Sequence, residues 1–222
     1  FDAPLAYVCE NGAAIHHLAV VKGQASEAFI DPIVLGKPVS VLMDHWTGCL
    51  SAQLRELCVF LDDLSRVDQA QILGLRGEAL DRAMSREYSR LFVFKGSEDT
   101  FHRIQDEAKK FDLNVVRGGR VSQLSGYHDK ADSISIVRQT VSSGPKNALI
   151  IALGDGENDI NMLCHADIAC VIPSKNGEIL SFNTNRSFQK IIHASKPAPH
   201  GWLEAVEAAL ELISIESRNC YG

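Results

Sequence analysis

No apolar stretch in this chain approaches the ~20 residues that a membrane-spanning helix requires, so no span is expected. Residues 1–15 carry no basic segment ahead of an apolar one, and no secretory leader is read there. No Cys-x-x-Cys pair occurs. The six cysteines stand apart at 9, 49, 58, 164, 170 and 220, which suits scattered reduced thiols better than a zinc site or a disulfide framework. No dense Lys/Arg run appears either, and 22 basic residues against 28 acidic ones leave a net charge of −6. A chain of that balance repels polyanions, so neither nucleic acid nor a membrane is an expected partner. Internal repeats and low-complexity tracts are also missing. The default location is the cytoplasm, and Phe1 in place of Met suggests a start inside the gene.

What is present is an ordinary globular composition, 222 residues with 45% hydrophobic and 23% charged side chains. A chain of this length buries enough surface to fold without disulfides or a metal. Leu5–Cys9 reads as a short buried strand, broken by Glu10-Asn11-Gly12, and an extended pattern resumes over 13–21. From Val39 to about Asp112 the period is mostly helical, with strands expected at Cys58–Leu61 and Leu91–Phe94. Ser97 caps a helix running to Phe111, with acids in its first turn. Leu113–Val116 and Val121–Leu124 flank Gly118-Gly119 as a hairpin. A helix after Asp129 stops at Ser143-Gly144-Pro145, and Ala148–Leu153 has the continuous apolar character of a strand buried on both faces. A helix over 159–165, strands over 168–172 and 189–192, and an amphipathic helix over 202–213 follow. This alternation predicts an α/β class with a parallel sheet, into which residues 37–125 are inserted as a separate α+β domain.

Gly154-Asp155-Gly156-Glu157-Asn158-Asp159 stands directly after the apolar strand. Ligands in open α/β sheets bind beyond the carboxyl ends of strands. Two carboxylates four residues apart across such a turn can converge on a hard cation such as Mg²⁺, which takes few protein oxygens and keeps room for water and phosphate. The same residues also read as a Gly-rich turn in which Asp155 caps a helix and Asp159 is a first-turn acid. Lys130, 25 residues before Asp155, opens the preceding helix and reads either as a phosphoryl-oxygen contact or as a solvated lysine.

Taken together, Glu10-Asn-Gly-Ala-Ala-Ile15, Arg86-Glu-Tyr-Ser89, Arg117-Gly-Gly-Arg120, Asp129-Lys130, Gly154-Asp-Gly-Glu-Asn-Asp159 and Gly201-Trp202 form an ordered set spanning nearly the whole chain. With it the chain resembles the haloacid dehalogenase superfamily of Mg²⁺-dependent phosphotransferases, and within it the mannosyl-3-phosphoglycerate phosphatase branch. The resemblance implies a Rossmann-like, three-layer core (1–36 and 126–222) with an inserted cap (37–125). It implies an aspartyl-phosphate formed on an aspartate ending the first strand, with a second aspartate as acid and base. Lys130 is then the phosphoryl-holding lysine, Asp155 a direct Mg²⁺ ligand, and Asp159 a direct or water-mediated one. Asn158, Asn11, Arg117, Arg120, Ser174 and Lys175 become candidate contacts to a small phosphorylated metabolite. The arginines suit a carboxylate or phosphate, although a solvated turn suits them equally. Turn or loop roles stay open for Asn11 and for Ser174-Lys175.

The chain departs from that pattern in one major way. No Asp-x-Asp segment occurs in residues 1–222, and Asp62-Asp63 and Asp31-Pro32 fit neither the pattern nor the position. N-terminal truncation is the simplest expectation, with no turnover by the chain alone. The alternative, from another class, is a non-catalytic remnant that binds an anionic metabolite or a protein. Val121, Ser122 and Gln123 replace the usual aromatic and histidine after Arg120, and Ala131 replaces a glycine after Lys130. His16-His17 reads as strand-edge surface, and Met43, Trp46 and Leu50 as a core-facing helical stripe.

Overall fold

The computed structural model describes residues 5–18, 32–142, 149–182 and 189–219. In chain order these form β1 (Tyr7–Cys9), β2 (Ala14–His16), β3 (Ile33–Val34), α1 (Val39–Cys49), α2 (Ala52–Glu56), β4 (Cys58–Phe60), α3 (Arg66–Leu73), α4 (Gly77–Met84), β5 (Ser89–Phe94), α5 (Glu98–Lys109), β6 (Leu113–Arg117), β7 (Ser122–Gly126), α6 (Lys130–Ser142), β8 (Ile151–Gly154), α7 (Ile160–His165), β9 (Ile168–Val171), β10 (Lys190–His193) and α8 (His200–Asn219). The chain divides into two compact units, one of residues 8–15 and 32–128, the other of 1–7, 16–31 and 129–222.

The first unit is built on an antiparallel sheet of order β4-β5-β7-β6. Serines set its helix starts: Ser51, Ser65 and Ser97 each accept the amide three residues on, at the heads of α2, α3 and α5, which satisfies donors that a helix leaves open. On α5 the buried positions are Phe101, Ile104 and Ala108, spaced to lie on one stripe. They pack with Leu42, Trp46 and Leu50 of the α1 segment against Phe60, Phe92, Val115 and Leu124 of the sheet. Met43 lies partly buried against the same cluster, so the stripe expected to face the core does so. The hairpin pairs Val115 with Leu124 and Arg117 with Ser122.

The second unit carries a parallel sheet of order β10-β9-β8. Side chains alternate across it. Ile168, Cys170 and Ile172 face Ala205 and Ala209 of α8, while Ala152 and Ala169 face Leu163 of α7. Helices on both faces of a parallel sheet make the three-layer α/β/α core. The middle strand β9 is buried at every position, whereas β8 alternates half-buried and buried residues. The run over 148–153, expected to be buried on both faces, is thus shorter as a strand, and among the described residues β8 pairs on one side only. The Ser143-Gly144-Pro145 stop lies outside the described residues, as does much of the extended pattern expected over 13–21.

A third, small sheet has the order β1-β2-β3. Leu5–Cys9, expected to be buried, leaves Tyr7 50% and Val8 42% exposed, because among the described residues β1 is an edge strand. Ala13, Ala14 and Ile15 take the buried places instead. His16 stacks on the Tyr7 ring, with centroids 4.7 Å apart.

Candidate functional site

In the parallel unit, β8 ends at Gly154 and the chain turns sharply into a single 3₁₀ turn over Glu157–Asp159 before α7. The turn closes around one carboxylate. Asp159 is 6% exposed, and its Oδ2 accepts the amides of Asp155 at 3.2 Å and Gly156 at 3.3 Å. Its Oδ1 pairs with Lys130 Nζ. Gly154 is required by this closeness, since a Cβ there would overlap the Asp159 Cβ. A Cβ on Gly156 would lie 2.8 Å from Asn158 Oδ1.

Asp155, immediately past the strand, is exposed, and among the described residues its carboxylate meets no hydrogen-bond or ion-pair partner. The two aspartates of the motif are therefore unlike: one is internally saturated, the other open to a ligand. Asn158 is also exposed. Gly154 pairs with Val171 across the parallel ladder, so the loops after β8 and β9 leave the same edge of the sheet. The loop after β9 is a closed turn. Ser174 donates its amide to the Glu178 carbonyl at 2.8 Å, and its Oγ accepts the Glu178 amide at 3.2 Å. Lys175 is exposed in that turn.

Lys130 is the first residue of α6. Asp129 caps the helix: its Oδ1 accepts the Ala131 amide at 2.8 Å, and its own amide donates to Asp132 Oδ2 at 3.0 Å. Its Oδ2 accepts Asn161 Nδ2 at 2.7 Å. An Asp with another acid three residues on, just before a helix, was a readable signal for the cap. The contact from Asn161 was not, because 32 residues separate the pair.

No group of three His, Cys, Asp or Glu placed to hold a metal occurs among the described residues. Mg²⁺ does not need one, as it binds through one or two carboxylates and keeps its remaining positions for water and phosphate. The open Asp155 carboxylate fits that demand, and Asp159 borders it through the shared turn. A cysteine nucleophile finds no support in the buried thiols. Burial pushes Cys58 up to about 12 and Cys170 up to about 11, leaving both protonated and inert.

The antiparallel unit holds the other candidates. Arg117 pairs with Glu98 at 3.0 Å and lies 4.1 Å over the Phe101 ring. Arg120 donates to the Leu73 carbonyl at the end of α3. Both guanidinium groups thus have partners within their own unit. Asn11 Nδ2 donates to Gln123 Oε1 at 3.2 Å. It stands in a tight turn with φ of 47° at Glu10, 61° at Asn11 and 104° at Gly12, a region that costs free energy for residues with a Cβ. Glu10 holds the turn. Its Oε1 accepts the Glu87 amide at 2.8 Å, its Oε2 accepts the Tyr88 amide at 3.1 Å and the Ser89 hydroxyl, and its carbonyl accepts His128 Nε2 at 3.0 Å. Arg86 donates to Ser89 Oγ at 2.9 Å. Burial lowers the Arg86 pKa, opposed by the nearby Glu10 charge. Two of the matched motifs, at 10–15 and 86–89, are therefore one structural joint.

No family model matches the chain. Over 144 residues it is 26% identical to the glucosyl-3-phosphoglycerate/mannosyl-3-phosphoglycerate phosphatase of Methanococcoides burtonii, a match covering 65% of this chain and 52% of that protein. The chain thus spans about half the length of that curated relative. Among solved structures it is similar to a haloacid dehalogenase-like hydrolase from Bacteroides thetaiotaomicron, with TM-score 0.52 and 16% identity over 91% of this chain and 74% of the other. It is also similar to a sugar phosphatase of haloacid dehalogenase subclass IIB, with TM-score 0.53 and 13% identity over 95% of this chain and 76% of the other. At these identities the structural likeness shows the fold.

Proposed function

From its haloacid dehalogenase-like fold, a Rossmann-like core with a cap, we propose that this chain supplies the phosphoryl-holding part of a Mg²⁺-dependent phosphomonoesterase. The substrate class is a phosphorylated glycosyl-glycerate, such as mannosyl-3-phosphoglycerate, or a related sugar phosphate. One observation supports the reading: at the carboxyl end of β8 the buried Asp159 accepts the amide of the exposed Asp155 and pairs with Lys130, so an open carboxylate and a lysine are tied to one residue.

Asp155 is the residue that would hold Mg²⁺, and Asp159, whose two oxygens are already engaged by Lys130 and two amides, would reach the ion through a water rather than directly. The ion, when bound, offsets the negative charge of the phosphoryl oxygens. Lys130 offers a second positive charge to those oxygens. Its anchoring on Asp159 fixes the ammonium before substrate arrives, and such preorganisation is what makes a charge effective in a dry site. Asn158, Ser174 and Lys175 line the loops at the same sheet edge and take the remaining phosphate contacts. The inserted cap is proposed as residues 37–125, and Asn11 as a further substrate contact. Arg117 and Arg120 join it by exchanging Glu98 and the Leu73 carbonyl for an anionic substrate group.

The attacking carboxylate is not among residues 1–222, where no Asp-x-Asp segment fits. A second reading is a non-catalytic remnant that binds an anionic metabolite or a partner protein. The test is phosphate release from a panel of sugar phosphates, with and without EDTA, by the chain alone and by the chain complemented with an upstream Asp-x-Asp segment. The enzyme reading expects turnover only on complementation and only without EDTA. In that protein Lys130→Ala should lower the rate by about 10² or more, as for loss of one preorganised electrostatic contact. A complemented protein inactive on every substrate, or one indifferent to Lys130→Ala, overturns the enzyme reading.

A further inference from the structure

We propose that Asn161 is a positioning residue for Lys130, an inference that rests on the reading of Lys130 as the phosphoryl-holding lysine. The geometry is a closed ring of contacts between two helix starts. Lys130 Nζ pairs with Asp159. Two residues beyond Asp159, Asn161 Nδ2 donates to Asp129 Oδ2 at 2.7 Å. Asp129 is joined to Lys130 by a peptide bond and is itself fixed to the first turn of α6 through the Ala131 amide. The heads of α6 and α7 are thus tied twice, side by side, once by the ion pair and once by the neutral amide.

The second tie has a chemical purpose that the first cannot serve. Asp129 is a carboxylate adjacent in sequence to the lysine, and with a free oxygen it would compete with Asp159 for the ammonium. The Ala131 amide occupies one Asp129 oxygen and the Asn161 carboxamide the other. Both donors are neutral, so Asp129 is satisfied without a second cation entering the site. Fixing the Lys130 backbone against α7 also narrows the volume that its flexible four-carbon side chain can sweep. Asn161 is exposed, so removing its carboxamide sacrifices little packing, and its effect is expected on lysine order rather than on folding.

The experiment uses the full chain with ¹³C-labelled lysine, the Lys130 Cε/Hε signals being identified by their loss in Lys130→Arg. The expected result is a resolved, inequivalent Hε pair in the wild type that merges in Asn161→Ala, with the thermal transition unchanged. Should Asn161→Ala fail to fold, Asn161→Leu, which keeps about the same volume, adds no charge and removes the donor, carries the same comparison. A second arm titrates inorganic phosphate in the presence of Mg²⁺. Asn161→Ala should weaken binding about threefold to tenfold in the wild-type background and not at all in a Lys130→Ala background, the non-additivity expected of residues acting through one another. An Hε pair that stays resolved in Asn161→Ala, or equal weakening in both backgrounds, overturns the inference. A wild-type chain that binds no phosphate counts against the proposed function instead, and the lysine signals still decide the role of Asn161.

Discussion

The antiparallel unit fills its interior with rings, whereas the parallel unit fills its own with methyl groups. Trp46, Phe60 and Phe92 stand with ring centroids 5.7–6.0 Å apart, and Phe94 meets Phe101 at 5.1 Å. In the other unit Ala152, Ala166 and Ala169 lie on one side of the sheet, and Ala194, Ala205 and Ala209 on the other. Rings remove large areas from water and interlock. Alanines remove little, but they let a helix backbone approach the sheet closely. Both units hold ion pairs, among them Lys130 with Asp159 and Arg138 with Asp167 in the parallel one. In the antiparallel unit Arg90 engages Asp62 and Asp63, and Arg117 engages Glu98. In the parallel unit the exposed Asp155 carboxylate, without a partner among the described residues, stands above a closely packed turn. One unit is organised for cohesion, the other for placing a few polar groups.

That contrast gives a ranked set of expectations for stability, read from denaturant unfolding. Phe92→Ala, at the centre of the ring cluster, should cost about 3–5 kcal/mol, the range for truncating a buried aromatic. Gly154→Ala inserts one methyl against Asp159 and should cost about 1–3 kcal/mol, as overpacking does. It should also loosen Lys130, visible as merged Hε signals. A silent Gly154→Ala would mean that the turn is less tightly packed than the contrast requires. Arg117→Gln should cost only about 0.5–1 kcal/mol, because its ion pair is solvent-exposed and the stacking on Phe101 is the larger part. A loss above ~2 kcal/mol would make Arg117 part of the cohesion of its unit.

Local chemistry was legible in the sequence. Ser97 caps α5, the Gly118-Gly119 hairpin forms between β6 and β7, and Asp155 stands directly after β8, each a matter of a few neighbouring residues. Burial was less so. Leu5–Cys9 and 148–153 are apolar runs whose exposure depends on where their strands sit in a sheet, and both lie at edges among the described residues. The difference between Asp155 and Asp159 was also invisible, since spacing says that two acids are near each other but not that one is consumed by a lysine and two amides. Glu10 was hidden most completely. Its partners lie 77 to 79 residues further along the chain, and no local pattern can announce them.

The joint made by Glu10 also has a place in time. A ribosome delivers residues 8–15 long before 87–89, and at synthesis rates of ~5–20 residues per second the intervening 77 residues take about 4–15 s to appear. Through that interval a carboxylate whose native donors do not yet exist must wait in water, and the turn at 10–12 has nothing to hold its unfavourable backbone angles. The turn at 10–12 can therefore be held only once residues 87–89 have been made. Its closure is a long-range event that pays loop entropy, and a nascent chain stalled before Glu87 would carry every residue of the turn and none of the donors that hold the Glu10 carboxylate.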